Sequence, residues 1–160
     1  MVSNPYYGFV LIHWPIPHPL GVYPRIEHAA DNKAGYLDNL ELADKTLGIL
    51  RRTMEAAGMW DNSMVLVTGD HCFRPFIWSG LPEWDAEDAR AGALVTKNRV
   101  PFLLKMAHQE GGAVYTDHFN TILSRDLFLA MLTGEVKDPY DAGKWIHAWA
   151  STHGLAKDAT

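Results

Sequence analysis

The sequence predicts an α/β fold built on a mainly parallel sheet, and three stretches predict it. The first is Ser63 to His71, S-M-V-L-V-T-G-D-H, in which Met64 to Val67 is apolar without alternation. That is the pattern of a strand covered on both faces. The second is Tyr6 to His13, Y-Y-G-F-V-L-I-H, another apolar run of strand length. The third lies between them: Tyr36, Leu40, Ala43, Leu47, Leu50, Met54 and Ala57 recur at intervals of three and four, one apolar stripe of a helix lying along a sheet. Strand, helix and strand make a βαβ unit, whose crossover is right-handed and whose strands are parallel. Both strands then finish on one edge of the sheet, where ligands bind in such folds.

In chain order, the first expected strand ends on His13 and runs into Trp14 to Pro24, with prolines at 15, 17, 19 and 24. Prolines fix backbone angles and forbid regular pairing, so this is a stiff loop. It carries His18, and reads equally as a mount for a binding group and as a plain surface connection. Asp31 or Asn32 can cap the following helix, and Gly58 stops it. Arg51, Arg52 and Glu55 fall on its outer side, while Asp38 and Asp44 could serve as functional acids but on an amphipathic helix read first as solvated or capping. The Ser63 strand then ends on Asp70 and His71, a carboxylate and an imidazole that suit a metal ion. The alternative is that the two are loop residues that only cap the next segment.

Cys72 to Asn98 reads as irregular, with Phe73, Phe76, Trp78 and Trp84 and a short helix over Asp85 to Arg90. Val100 to Met106 is a third strand, with Pro101 near its start, where a proline is tolerated. Gly111 and Gly112 turn the chain, Val114 to Asp117 suits a short edge strand, and His118 follows. Thr121 to Thr133 reads as a helix with Gly134 as its stop. Asp141 to Thr152 is a last helix, whose Trp145, Ile146 and Trp149 form a patch for packing or contact.

The totals suit one soluble domain spanning 1–160, with 141–160 as its terminal helix and tail. The chain has 160 residues, 48% hydrophobic and 21% charged, enough to bury a core. A net charge of −5 without a basic run gives no reason to expect nucleic acid or an anionic membrane as partner. No stretch reaches the roughly 18 apolar residues that a membrane helix needs. The single cysteine, Cys72, excludes an internal disulfide and leaves the compartment open. A start almost directly in a strand suggests a piece of a longer protein.

The order of parts carries a resemblance. A strand leading to H-W-P-I-P-H-P is followed by a helix containing Y-L-D-N-L-E-L-A-D-K-T-L-G-I-L. Then come W-D-N-S-M-V-L-V-T-G-D-H, R-V-P-F-L-L-K and S-R-D-L-F-L-A-M-L-T-G. From about Phe9 to Gly134 this resembles the later half of the sulfatase and alkaline-phosphatase superfamily. The resemblance implies a partial, alkaline-phosphatase-like fold: α/β, a mixed, mainly parallel sheet with helices on both faces.

It also implies functions for particular residues. Asp70 and His71 match the family's metal-binding pair, and His18 matches the histidine that contacts the sulfate or phosphate or helps the leaving group, with His13 beside it. Lys97 and Arg99 are candidates to face the anion, although Lys97 departs from the spacing of the family's lysine. His118 is a candidate additional ligand. A divalent metal would stabilise charge on the ester oxygens while an imidazole supplies a proton. The nitrogen ligand favours zinc or manganese over calcium. The implied substrate is a sulfate or phosphate ester.

The departures matter as much. The half of the family's fold that bears the nucleophile and further acidic ligands has no counterpart in these residues. Cys72, in C-F-R-P-F, lacks the Cys/Ser-x-Pro-x-Arg pattern of a modified nucleophile and replaces the glycine usual after Asp-His. The expectation is therefore a metal-dependent ester hydrolase or transferase portion, weak or inactive alone. The rival is a non-catalytic binding or assembly domain, either a homo-oligomer or the partner of a chain supplying the missing half.

Overall fold

The computed structural model describes residues 1–19 and 34–154. The expected helix cap at Asp31 or Asn32, the end of the proline loop and the tail beyond 154 lie outside the described residues. The chain divides into two compact units, Met1–Trp60 with Thr68–Phe102 and Asp61–Val67 with Leu103–Thr160.

The first unit is organised around the start of its long helix, α1 (Tyr36–Ala56). A helix leaves its first backbone N–H groups without intrahelical acceptors, and here side chains supply them. Asp38, fully buried, reaches back to the N–H of the N-cap residue Gly35 at 2.9 Å. Of the roles open to it, capping is the one this bond shows. Asn39, also buried, donates from Nδ2 to the Gly35 carbonyl at 2.7 Å. The remaining acceptor comes from α3 (Ala86–Ala93), itself capped by Asp85, which accepts from the N–H groups of Glu87 and Asp88. Asp88, only 2% exposed, accepts from Tyr36 N–H at 3.3 Å and Leu37 N–H at 3.0 Å.

Glycine is needed at 35 because a Cβ there would collide with the Asp88 carboxylate and approach the Glu83 carbonyl to 3.1 Å. Beside this junction the Tyr36 ring stacks on Phe73 at 3.6 Å and meets Trp78 edge-on at 5.5 Å. Trp78, buried, ends the short helix α2 (Pro75–Trp78). Phe73 and Trp78, from the stretch expected to be irregular, thus pack the first turn of α1. At its other end α1 stops where expected. Gly58 takes φ +67°, its N–H bonds to Glu55, and the N–H of Met59 bonds to Met54, the pair of bonds that closes a helix over a left-handed residue.

The sheet corrects the expected fold class. Among the described residues there are only two strands, β1 (Val65–Thr68) and β2 (Phe102–Lys105), and they pair antiparallel. The mainly parallel α/β, alkaline-phosphatase-like sheet with helices on both faces is not the architecture present. Tyr6 to His13 forms no strand; Tyr6 is 92%, Phe9 67% and Leu11 80% exposed. The physical reason lies in what an apolar run specifies. It marks a segment that gains by burial but does not name a hydrogen-bonding partner, and a parallel ladder holds slightly less firmly per residue than an antiparallel one. The third expected strand, over Val100 to Met106, exists in its centre and takes the place beside β1 that the first was expected to hold.

In the second unit Lys105 on β2 donates from Nζ to the Ser63 carbonyl at 2.9 Å, and burial pulls its pKa down, against the pull of nearby Asp61. The core belongs to two helices. A short 3-10 turn (Thr121–Leu123), capped by Asn120, leads into α4 (Ser124–Leu132), which ends before Gly134 at φ +76°. Leu123, Leu127, Ala130 and Met131 are buried at helical spacing. α5 (Pro139–Thr152) is in contact with α4 and buries Ala142, Ile146 and Ala150. α5 starts two residues earlier than expected because Asp138 accepts from the N–H groups of Tyr140 and Asp141, each at 2.8 Å, and Pro139 fits the first helical position. No strand forms at Val114 to Asp117. Ile146 is the buried member of the tryptophan patch; Trp145 and Trp149 lie half-buried along the helix, 6.3 Å apart and stacked.

Candidate functional site

Asp70 and His71 follow β1 directly, as the sequence implies, and both side chains are exposed. The His71 Nε2 lies 4.0 Å from Asp70 Oδ1. Its other nitrogen is engaged: Nδ1 donates to the Cys72 carbonyl at 2.8 Å. A carbonyl oxygen only accepts, so Nδ1 carries a proton, and Nε2 is the nitrogen on the Asp70 side. Metal-binding histidines are commonly oriented in this way. His18 shows the same device, its Nδ1 donating to the Pro19 carbonyl at 2.9 Å. His13 is exposed on the preceding segment. Lys97 and Arg99 flank Asn98, which takes a left-handed φ of 58°, a conformation asparagine tolerates better than most residues. Lys97 is exposed and Arg99 half-buried.

These groups do not complete a metal site. Among the described residues no set of three or more His, Cys, Asp or Glu side chains is placed to hold an ion. Within the first unit, neither His13 nor His18 is placed with Asp70 and His71 as a third ligand. Two donors fall short of the three or four that a zinc site uses, and no catalytic step through a metal follows from these residues alone. The chain matches no known protein family, no curated protein and no solved structure. The case for a site rests on the residues themselves.

His118 belongs to the second unit, in different company. It lines a pocket of about 390 Å³ together with Tyr115, Thr116, Asp117, His147 and Ala150. There His147 Nδ1 donates to Asp117 Oδ2 at 3.3 Å. Sequence reasoning named His118 only as a candidate metal ligand and did not single out Asp117 or His147. Asp117 and His147 are 30 positions apart, on a loop and on α5, and no local pattern joins them. The only hint in the sequence is its content of eight histidines, more than a chain of this length ordinarily carries.

Proposed function

We propose that this chain is a portion of a metal-dependent hydrolase or transferase of sulfuric or phosphoric esters, contributing Asp70 and His71 as two of the metal's ligands and weak or inactive by itself. The observation that supports it is the presentation of this pair. A carboxylate and an imidazole stand exposed at the end of a strand, the imidazole held by the Cys72 carbonyl through Nδ1 with Nε2 on the side of Asp70. His18, with the same tautomer held by Pro19, and His13 are the groups assigned to the ester's anionic end. Lys97 and Arg99 are the cations nearest to that role in the sequence.

The test is a zinc and manganese titration of the metal-stripped protein by calorimetry, alongside turnover of an aryl sulfate and an aryl phosphate. Weak zinc binding and little or no turnover are expected, with Asp70→Ala or His71→Ala each weakening the metal at least about tenfold. Zinc binding that both substitutions leave unchanged overturns the ligand assignment. Fast turnover abolished by Asp70→Ala overturns the claim of inactivity and keeps the chemistry.

A second reading, a non-catalytic assembly domain, is favoured by the exposed apolar side chains of the amino-terminal segment, Tyr6, Phe9 and Leu11. On that reading size-exclusion chromatography gives a homo-oligomer, and metal binding is absent.

A further inference from the structure

The pocket of the second unit is lined by acceptors. Asp117 brings a carboxylate, whose Oδ2 accepts from His147 Nδ1. His118 adds a second imidazole and Thr116 a hydroxyl, and no lysine or arginine is among the lining residues. Tyr115 contributes an aromatic ring, held edge-on by Phe119 at 5.8 Å. Burial first, and Asp117 second, push the Tyr115 phenol up from its ordinary pKa, so it stays neutral. The floor is Ala150, buried, near the carboxyl end of α5. That end carries the negative pole of the helix, and its last turn has no basic residue to neutralise it.

A carboxylate, an aromatic ring and a helix carboxyl end all favour a positive charge. An alkylammonium group combines one positive charge with three N–H donors for acceptors such as the Asp117 carboxylate and the Thr116 hydroxyl. We propose that the pocket between residues 115–118 and the last turns of α5 binds a small organic cation of the primary-ammonium class. An anion is disfavoured because it would have to sit against Asp117. Asp70 and His71 belong to the other unit, and ammonium binding here does not depend on their role as metal ligands.

The experiment is an NMR titration of the full chain with propylammonium chloride at constant ionic strength, with propan-1-ol as the neutral analogue and sodium phosphate as the anion. Saturable shifts confined to Tyr115–His118 and the His147–Ala150 stretch are expected with propylammonium alone. Asp117→Asn, at an exposed position where folding is not at stake, is expected to weaken binding at least roughly fivefold. His118→Ala tests the second imidazole with the carboxylate left in place and is expected to weaken it less. Equal shifts from propan-1-ol, binding that Asp117→Asn leaves intact, a response to phosphate instead, or no saturable response would each overturn the proposal.

Discussion

Replacing Asp88 with alanine is expected to destabilise the first unit by about 2–4 kcal/mol, because two backbone N–H groups at the start of α1 lose their only charged acceptor. A buried donor left without a partner costs roughly 1–3 kcal/mol. The Leu37 bond, at 3.0 Å, should account for more of the loss than the Tyr36 bond at 3.3 Å. Urea unfolding followed by circular dichroism at the helix band measures it. A loss below about 0.5 kcal/mol, the range of an ordinary surface substitution, would mean that water replaces the carboxylate without penalty.

The isosteric variant separates charge from hydrogen bonding. Burial pushes the Asp88 carboxyl above its ordinary value of 3.8, the Leu37 and Tyr36 N–H groups pull it back, and Asp85 adds a push upward. The net direction is up, so the loss of solvent outweighs the two bonds. With the folded pKa raised, the native chain holds a proton that the unfolded chain has released, and stability falls as pH rises from 3.8 through the raised value. Asp88→Asn mimics the protonated acid at every pH. Its stability should match the parent in acid and equal or exceed it near neutrality, whereas Asp88→Ala should be worse at both. An asparagine variant as damaged at pH 7 as the alanine one would show that the ionised carboxylate is what the helix start requires.

This junction shows what a reading of the sequence reaches and where it stops. The carboxyl ends of α1 and α4 were legible because their chemistry is local: Gly58 and Gly134 stop them at left-handed residues. The acceptor for the start of α1 was not legible, since Asp88 lies 51 positions from Leu37. Asp38 looked like one more acid on an amphipathic helix, though its offset of three from Gly35 is the spacing of a capping pair. Strand pairing failed for the same reason at larger scale. The apolar runs at Tyr6–His13, Met64–Val67 and Val100–Met106 were all visible, but which two would share a ladder depends on contacts that no local pattern encodes. For the candidate site, the Asp70–His71 pair was read from adjacency and its exposure follows from the end of β1. The bond between Asp117 and His147 joins a loop to a helix and was invisible.

Truncating Leu127 to alanine should have the other large effect, a loss of about 2–5 kcal/mol from the second unit. Leu127 is 1% exposed and shares the buried row of α4 with Leu123, Ala130 and Met131. Two of the three buried residues of α5, the helix in contact with α4, are Ala142 and Ala150, which have no longer side chain to swing into a void. Both helices would have to shift bodily to close the cavity, so the cost belongs toward the upper part of the range. Folded units of this size are stable by only a few kcal/mol, so the substitution should unfold much of the second unit at about 37 °C. Since α5 carries His147 and Ala150, ammonium binding at the pocket should fail with it, while Asp117→Asn weakens binding without altering the melting profile. Leu127→Met, which conserves volume, should cost under about 1.5 kcal/mol and leave binding intact. If Leu127→Ala melts within a few degrees of the parent, α4 and α5 are not held together by this row, and the pocket's floor is not a rigid surface.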